Sequence, residues 1–252
     1  APAALFKSSD DGQTWSWIEG LSRHPTRDQW QPGAGGLCLH TIVLDPKQPG
    51  RAYAAISDAG LFRTEDNGAT WTPRNQGVRA NFMPDQPPVY PEWGQCVHKM
   101  VQHPTKLERL YQQNHCGVYR SDDGGDSWIE ITGGLPSDWG LPIALHPNDP
   151  DAVFVCPGQN GYLHWVPNAR MAVYRTRDKG ASWTQLTKGL PGRNAFLNTL
   201  RDGMSSDALD PCGVYVGANT GLLYCSNDEG DSWRRVPALF PPIASVEAVT
   251  LN

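Results

Sequence analysis

The sequence has 252 residues, and its 21 lysines and arginines against 26 aspartates and glutamates give a net charge of −5. Because the basic residues are scattered and no apolar run has membrane-spanning length, we expect a soluble protein with neither nucleic acid nor a membrane as partner. The 26 glycines and 22 prolines predict many turns and few long helices, hence an all-β protein.

An octapeptide of the form Ser/Thr-x-Asp-x-Gly-x-Ser/Thr-Trp recurs five times. The copies, in chain order, are Ser8–Trp15, Thr64–Trp71, Ser121–Trp128, Thr176–Trp183 and Ser226–Trp233. Successive tryptophans lie 56, 57, 55 and 50 residues apart. Self-similarity at a period of this length is typical of stacked or radially arranged units.

Each octapeptide has the chemistry of a hairpin turn. The aspartate can accept hydrogen bonds from backbone N–H groups across the turn, and the glycine can adopt the positive φ that the turn needs. The hydroxyl groups close the loop, and the tryptophan packs against a neighbouring core. We therefore predict that these aspartates hold turns and bind no ligand.

Three short strands precede each of the four later octapeptides, and the third of them runs directly into the turn. The predicted first and second strands are His40–Leu44 and Arg51–Ile56, Val97–Gln102 and Arg109–Gln113, Ile143–Leu145 and Ala152–Val155, and Asn198–Met204 and Gly213–Gly217. Four antiparallel strands per repeat predict a β-propeller of four-stranded blades, with about five blades in this chain.

The predicted elements at the two ends of the chain do not complete a blade. Leu5-Phe6 matches a third strand and Ile243–Leu251 matches a first strand, so a closing blade would have only three strands. We therefore expect residues 1–252 to form a single propeller domain that lacks N-terminal blades of a seven-bladed parent. A compact five-bladed ring is the alternative.

The octapeptide resembles the Asp-box, also called the bacterial neuraminidase repeat, which occurs in propellers of several activities. The segments Gln31–His40, Leu200–Met204 and Ser245–Glu247 are similar, more narrowly, to bacterial BNR-repeat glycosyl hydrolases, an exo-α-sialidase-like group. This resemblance implies a carbohydrate-directed, sialidase-like glycosyl hydrolase propeller. The six widely spaced cysteines, interpreted as reduced and mostly buried, favour the bacterial cytoplasm.

Polar residues mark the start of several predicted first strands, which line the channel of a propeller and begin on the face opposite the octapeptide turns. We predict a site at this channel mouth, where these side chains converge: His40, His98, Arg201, Asp202 and Glu247. The alternative is that they hold water or bridge blades.

The pattern Gly-x-Cys-x-His occurs twice, at 36–40 and 94–98, and residues two apart on a strand point to the same side. No tight ligand spacing accompanies it, so we predict neither a metal site nor a cofactor. Four further histidines are expected in turns or on the surface: His24, His103, His115 and His146.

Tryptophans in the connections are expected on the same face as the channel mouth. Trp30 and Trp93 lie in long loops before first strands, and Trp165 lies in an insertion over 157–170. Exposed aromatic rings stack on sugars or contact protein partners. Packing as a lid over the channel is the alternative.

Glycoside hydrolysis needs two carboxyl groups that flank the scissile bond, and Asp202 and Glu247 are the pair that we nominate as catalytic. Sialidase activity is not expected, because an Arg-Ile-Pro-like motif is absent and a Tyr–Glu nucleophile pair cannot be assigned. The remaining predicted site residues would bind a glycan or small molecule: His40, His98, Arg201, Trp30, Trp93 and Trp165. The alternative function is a non-catalytic propeller that binds a protein or a ligand.

Overall fold

The computed structural model describes residues 3–33, 35–82, 87–159 and 164–250. Within these ranges the chain forms 18 short strands, one four-residue α-helix and two 3-10 helices. The strands are β1 Phe6–Lys7, β2 Ser16–Trp17, β3 Leu39–Leu44, β4 Ala52–Ile56, β5 Gly60–Thr64, β6 Thr72–Pro73, β7 Val97–Gln102, β8 Leu110–Asn114, β9 Gly117–Ser121, β10 Ile129–Glu130, β11 Gly140–His146, β12 Asp149–Pro157, β13 Val173–Thr176, β14 Thr184–Leu186, β15 Met204–Ser206, β16 Val214–Gly217, β17 Leu223–Ser226 and β18 Arg234–Arg235. The helices are α1 Glu19–Ser22 and the 3-10 helices Arg27–Gln29 and Pro167–Ala169. None of the helices in the described ranges is long and apolar enough to cross a bilayer.

The strands pair with their sequence neighbours in antiparallel sheets. A first sheet contains β1 and β2, and four four-stranded sheets follow: the second (β3–β6), third (β7–β10), fourth (β11–β14) and fifth (β15–β18). Each four-stranded sheet has its first strand at one edge, and those edge strands contact one another from sheet to sheet. Sheets that meet through their first strands are blades of a β-propeller, which confirms the predicted fold class.

Apolar side chains fill the space between successive sheets. Tyr53 of the second sheet and Val97 and Tyr119 of the third share one cluster, in which all three are fully buried. Similar clusters lie between the third and fourth sheets and between the fourth and fifth. The sheets are therefore held to each other mainly by burial of apolar surface.

The octapeptide turns have the predicted hydrogen bonds. In the third copy, the Asp123 carboxylate accepts from the Ser127 backbone N–H at 2.9 Å, the Ser127 hydroxyl at 2.5 Å and the Ser121 hydroxyl at 2.7 Å. The other four copies repeat this pattern. In each four-stranded sheet the turn joins the third strand to the fourth, so these turns share one face of the propeller.

The turn tryptophans pack against the preceding sheet, except the first. The indole N–H of Trp128 donates to the Arg74 carbonyl, and that of Trp183 donates to the Ile131 carbonyl, both at 2.8 Å and both across a sheet boundary. Trp15 instead donates to Gly12 of its own turn and is 63% exposed. The prediction that every tryptophan packs into a neighbouring core is therefore wrong for Trp15.

Two predicted strands differ from the structure. The Gly203 N–H donates to the Leu200 carbonyl and closes a turn, so β15 begins only at Met204 instead of covering 198–204. The predicted strand over 243–251 is also wrong within the described part of the chain, which ends there at residue 250. In place of a strand, that segment makes one isolated parallel bridge, between Ser245 and Asp202.

Candidate functional site

The predicted site lies where the edge strands of the sheets begin. His40 and His98 are each the second residue of such a strand, β3 and β7, whereas Arg201 and Asp202 lie in the turn before β15 and not on a strand as predicted. Because the strands alternate in direction, this end is opposite the octapeptide turns. Glu247 reaches the same region because the Val246 N–H donates to the Asp202 carbonyl at 2.7 Å.

Asp202 forms an ion pair with Lys99 of β7, across the centre of the propeller. Arg201, although it is the neighbour of Asp202 in the sequence, makes no ion pair with Asp202 or Glu247 among the described residues. Lys99 was missed, although it follows His98 directly in the sequence. A charged side chain on a predicted channel strand was the signal that could have identified it.

Asp202 and Glu247 line the same cavity, which we call the central cavity and which has a volume of about 280 Å³. The side chain of Asp202 is half-buried, and Glu247 is exposed. Lys99 and residues of β11 and β15 form the other walls. The structure therefore brings the two nominated carboxyl groups to one cleft, together with a cation that was not predicted.

His40 is held as a neutral imidazole. Its Nε2 lies 2.6 Å from the Val97 carbonyl oxygen, which can only accept, so Nε2 carries the proton. Burial, reinforced by the positive charge of Arg201, lowers the pKa of His40 to about 4. This residue can therefore donate one fixed hydrogen bond near pH 7 without adding charge to the site.

His98 is more deeply buried than His40. Its Nδ1 lies 2.5 Å from the Gly140 carbonyl oxygen, which fixes the proton on Nδ1 and leaves Nε2 as an acceptor. Burial lowers its pKa to about 3, and the nearby charge of Arg201 acts in the same direction. Arg201 thus lies close enough to both histidines to act on them, which brings three predicted ligand-binding residues together.

The predicted tryptophans occupy different environments. Trp30 is only 4% exposed, because it packs on Phe62 with ring centroids 4.8 Å apart, so its predicted exposure is wrong. Trp165 is half-buried and meets the exposed Phe196 edge to face at 5.3 Å. Three of the histidines expected in turns or on the surface are likewise buried among neighbours: His24, His103 and His146.

Trp93 lines a second cleft on the same face, which we call the rim cavity. Its volume is about 350 Å³, and Gln29, Gln31, Asp58 and Phe82 contribute to its walls. Burial raises the pKa of Asp58. Aromatic rings beside amide and carboxyl groups are suited to a ligand that has both apolar faces and hydroxyl groups.

A third concavity, the apolar groove, lies between the first sheet and β3. It has a volume of about 590 Å³, and Phe6, Trp15, Ile42 and Leu44 contribute side chains that are each about half or more exposed. This groove is separate from the central and rim cavities in its lining residues. An apolar surface of this kind is typical of a contact with another protein surface.

Four-stranded sheets joined through their first strands, with a polar cavity along those strands, define this chain as a β-propeller. No family model matches the sequence. It is 27% identical over 226 residues to a xyloglucanase of Hypocrea jecorina, covering 88% of this chain and 24% of that protein. It is 29% identical over 240 residues to a xyloglucanase of Acetivibrio thermocellus, covering 81% and 26%. The chain thus spans about a quarter of the length of these relatives.

Solved structures agree on the fold. A GH74 xyloglucanase from Xanthomonas campestris superimposes with a TM-score of 0.61 at 17% identity, over 94% of this chain and 34% of that one. YCF48 from Cyanidioschyzon merolae gives a TM-score of 0.51 at 16% identity, over 79% and 56%. Likeness at these identities shows the propeller fold and leaves activity to be argued from the site.

Proposed function

We propose that this propeller is carbohydrate-directed and acts as a glycoside hydrolase on polysaccharides of the xyloglucan type. The observation that carries the proposal is that Asp202 and Glu247 share the central cavity. The similarity of the sequence to proteins named xyloglucanases supports this substrate class. The turns resemble the Asp-box, but we do not propose sialidase activity.

The two carboxyl groups would have different roles in hydrolysis. Asp202, which forms an ion pair with Lys99, would act as the base or nucleophile. Glu247, which is exposed in the unliganded chain, would donate the proton to the leaving oxygen once a bound sugar excludes water.

The rim cavity would bind the sugar residues next to the cleavage point. Trp93 and Phe82 would stack on the apolar faces of the sugar rings, and Gln29 and Gln31 would bond their hydroxyl groups. His40, His98 and Arg201 would hold the wall between the two cavities. Trp165 with Phe196 would offer a further aromatic surface.

The test measures both binding and bond cleavage. Xyloglucan and its oligosaccharides are titrated into the protein by calorimetry, and release of reducing ends is followed separately. We expect Asp202→Asn and Glu247→Gln to lower cleavage at least about 1,000-fold while binding persists, because each removes a group that acts on the reacting bond. Trp93→Ala should weaken binding instead.

Glu108→Gln is the matched control, because Glu108 is an exposed carboxylate beside an octapeptide turn and is not among the residues that line the central or rim cavity. It should leave binding and cleavage unchanged. Full cleavage in both Asp202→Asn and Glu247→Gln would refute the catalytic assignment. Failure of the unmodified protein to bind any xyloglucan oligosaccharide would refute the substrate class.

The second candidate function, a non-catalytic propeller that binds a protein, is favoured by one observation. The apolar groove exposes Phe6, Trp15 and Ile42 together, and exposed clusters of this kind usually contact protein. Trp15→Ser and Ile42→Ser would abolish such binding without changing any reaction at the central cavity. Retained partner binding in the double variant would rule out the groove.

A further inference from the structure

Three side chains with metal-ligating atoms meet beside the channel mouth, away from the nominated carboxyl groups. Cys96, His98 and His115 each offer one ligand atom, and all three atoms lie within 4.8 Å of one another. Cys96 and His98 are buried and His115 is half-buried. We call this group the thiol–imidazole cluster.

The backbone fixes the three residues relative to each other. Cys96 and His98 flank Val97, the first residue of β7, and His115 lies in the tight turn between β8 and β9. The His115 N–H donates to the Cys96 carbonyl at 2.9 Å. Because Val97 pairs with Asn114, the cluster is held at the end of the paired strands β7 and β8.

We propose that the thiol–imidazole cluster binds a divalent metal ion of the zinc class. One sulfur and two imidazole nitrogens form a donor set that suits zinc and excludes magnesium and calcium, which prefer oxygen. A tetrahedral zinc ion with ligands at 2.0–2.3 Å needs ligand atoms roughly 3.3–3.8 Å apart. A 4.8 Å separation can therefore be closed by rotation of the side chains.

The surroundings of His98 orient it as a ligand. Its Nδ1–H donates to the Gly140 carbonyl, so the Nε2 lone pair is the one left for a metal. Metal-ligating histidines usually have this second hydrogen bond, which fixes the tautomer and the plane of the ring.

Charge beside the cluster is compatible with a dication. Asp58 accepts a hydrogen bond from the Gly33 N–H at 3.1 Å. The Asp58 carboxyl, together with the thiolate that Cys96 would become on binding an ion, would offset the charge of the metal. Three protein ligands leave a fourth tetrahedral position for water.

Aromatic rings surround the cluster and restrict access of solvent. Trp139 lies 5.7 Å from His98 and 6.5 Å from His115 between ring centroids, and Phe82 lies 5.2 Å from His115. A shell of this kind keeps water away from a thiolate and strengthens its bond to a metal.

The test titrates zinc and cobalt chlorides into chelator-treated protein. We expect one ion per chain, and with cobalt a thiolate charge-transfer band together with the visible bands of a tetrahedral site. Cys96→Ser should remove the charge-transfer band, and both Cys96→Ser and His115→Ala should weaken zinc binding at least about 100-fold.

Cys116→Ser is the matched control. Cys116 is buried next to His115 in the sequence, and its thiol bonds the Asn81 carbonyl outside the cluster, so this variant should bind metal normally. Circular dichroism of each metal-free variant checks the fold, and His115→Ala keeps the test decisive if the buried Cys96→Ser fails to fold. Absence of binding to the unmodified protein, or unchanged binding in His115→Ala, would overturn the proposal.

Discussion

Lys99 and Asp202, which are 103 residues apart in the sequence, form an ion pair across the centre of the propeller. Lys99 lies on the edge strand of the third sheet, and Asp202 precedes the edge strand of the fifth. The pair therefore links two blades that are not neighbours in the chain. It also places a cation within the central cavity, beside the carboxyl group that we nominate for chemistry.

Lys99→Met tests this link. The two side chains are partly exposed, so loss of the ion pair should lower the free energy of unfolding by only about 0.5–1 kcal/mol. Cleavage of xyloglucan should fall about tenfold or more, because Asp202 loses the charge that holds it in place. Urea denaturation and reducing-end release measure the two effects, and Lys47→Met, at an exposed lysine, is the control. Equal cleavage in both variants would show that the pair is only structural.

Asp123→Asn tests the octapeptide turn. Burial opposes ionisation of Asp123, but the hydrogen bonds from Ser127 and Ser121 outweigh it and lower its pKa. The variant should lose about 1–3 kcal/mol at pH 7, because a neutral amide at this position leaves the turn donors without a charged acceptor.

The pH dependence of this loss has a definite sign. Since the folded-state pKa of Asp123 lies below the unfolded value of about 3.9, its contribution is complete above about pH 4 and is lost as the pH falls below that. The difference in urea midpoint between the unmodified protein and Asp123→Asn should therefore be smaller at pH 3 than at pH 7. Asp11→Asn, at an exposed position, is the control. A gap that stays constant with pH would contradict this account.

The hairpin turns were predictable because their chemistry is complete within eight residues, as the bonds of Asp123 to Ser121 and Ser127 show. The blade strands followed from the same repeat. The start of β15 was misplaced although Asp202-Gly203 is a turn dipeptide, because the alignment of repeats was given more weight than the local signal.

The site was less predictable because it depends on contacts between blades. No local pattern joins Lys99 to Asp202, or brings the His115 turn against Cys96. Burial of Trp30 likewise follows from the loop folding back over Phe62, which periodicity does not encode. Sequence patterns thus pointed to the first strands of the sheets, but not to the contacts between them.

Arg109→Met tests the junction between the third and fourth sheets. Arg109 is 1% exposed and donates to the Pro150 carbonyl at 2.8 Å, while it pairs with Asp151 at 2.7 Å and Asp122 at 2.5 Å. Removing the guanidinium should cost about 1–3 kcal/mol, because the Pro150 carbonyl and Asp151 lose their donor while the remaining carboxylates are partly exposed to water. Arg23→Met, which breaks an exposed pair with Glu19, should cost less than about 0.5 kcal/mol. Similar urea midpoints for the two variants would refute the structural role of Arg109.

Trp128→Ala and Trp15→Ala form the last comparison, because the two tryptophans occupy the same place in the octapeptide but differ in burial. Trp128 is 5% exposed and donates to the Arg74 carbonyl of the preceding sheet, so its removal should cost about 3–5 kcal/mol. Trp15 is 63% exposed and bonds only within its own turn, so its removal should cost less than about 1 kcal/mol.

The same pair of variants reports on the apolar groove. Urea denaturation at two protein concentrations measures both costs in the isolated chain, and Trp128→Phe separates the indole hydrogen bond from the packing of the ring. If Trp15→Ala destabilised the protein as much as Trp128→Ala does, Trp15 would be buried in solution, and the groove would be covered by protein rather than open to solvent. A small cost for Trp15→Ala, independent of concentration, agrees with the exposure that the structure shows.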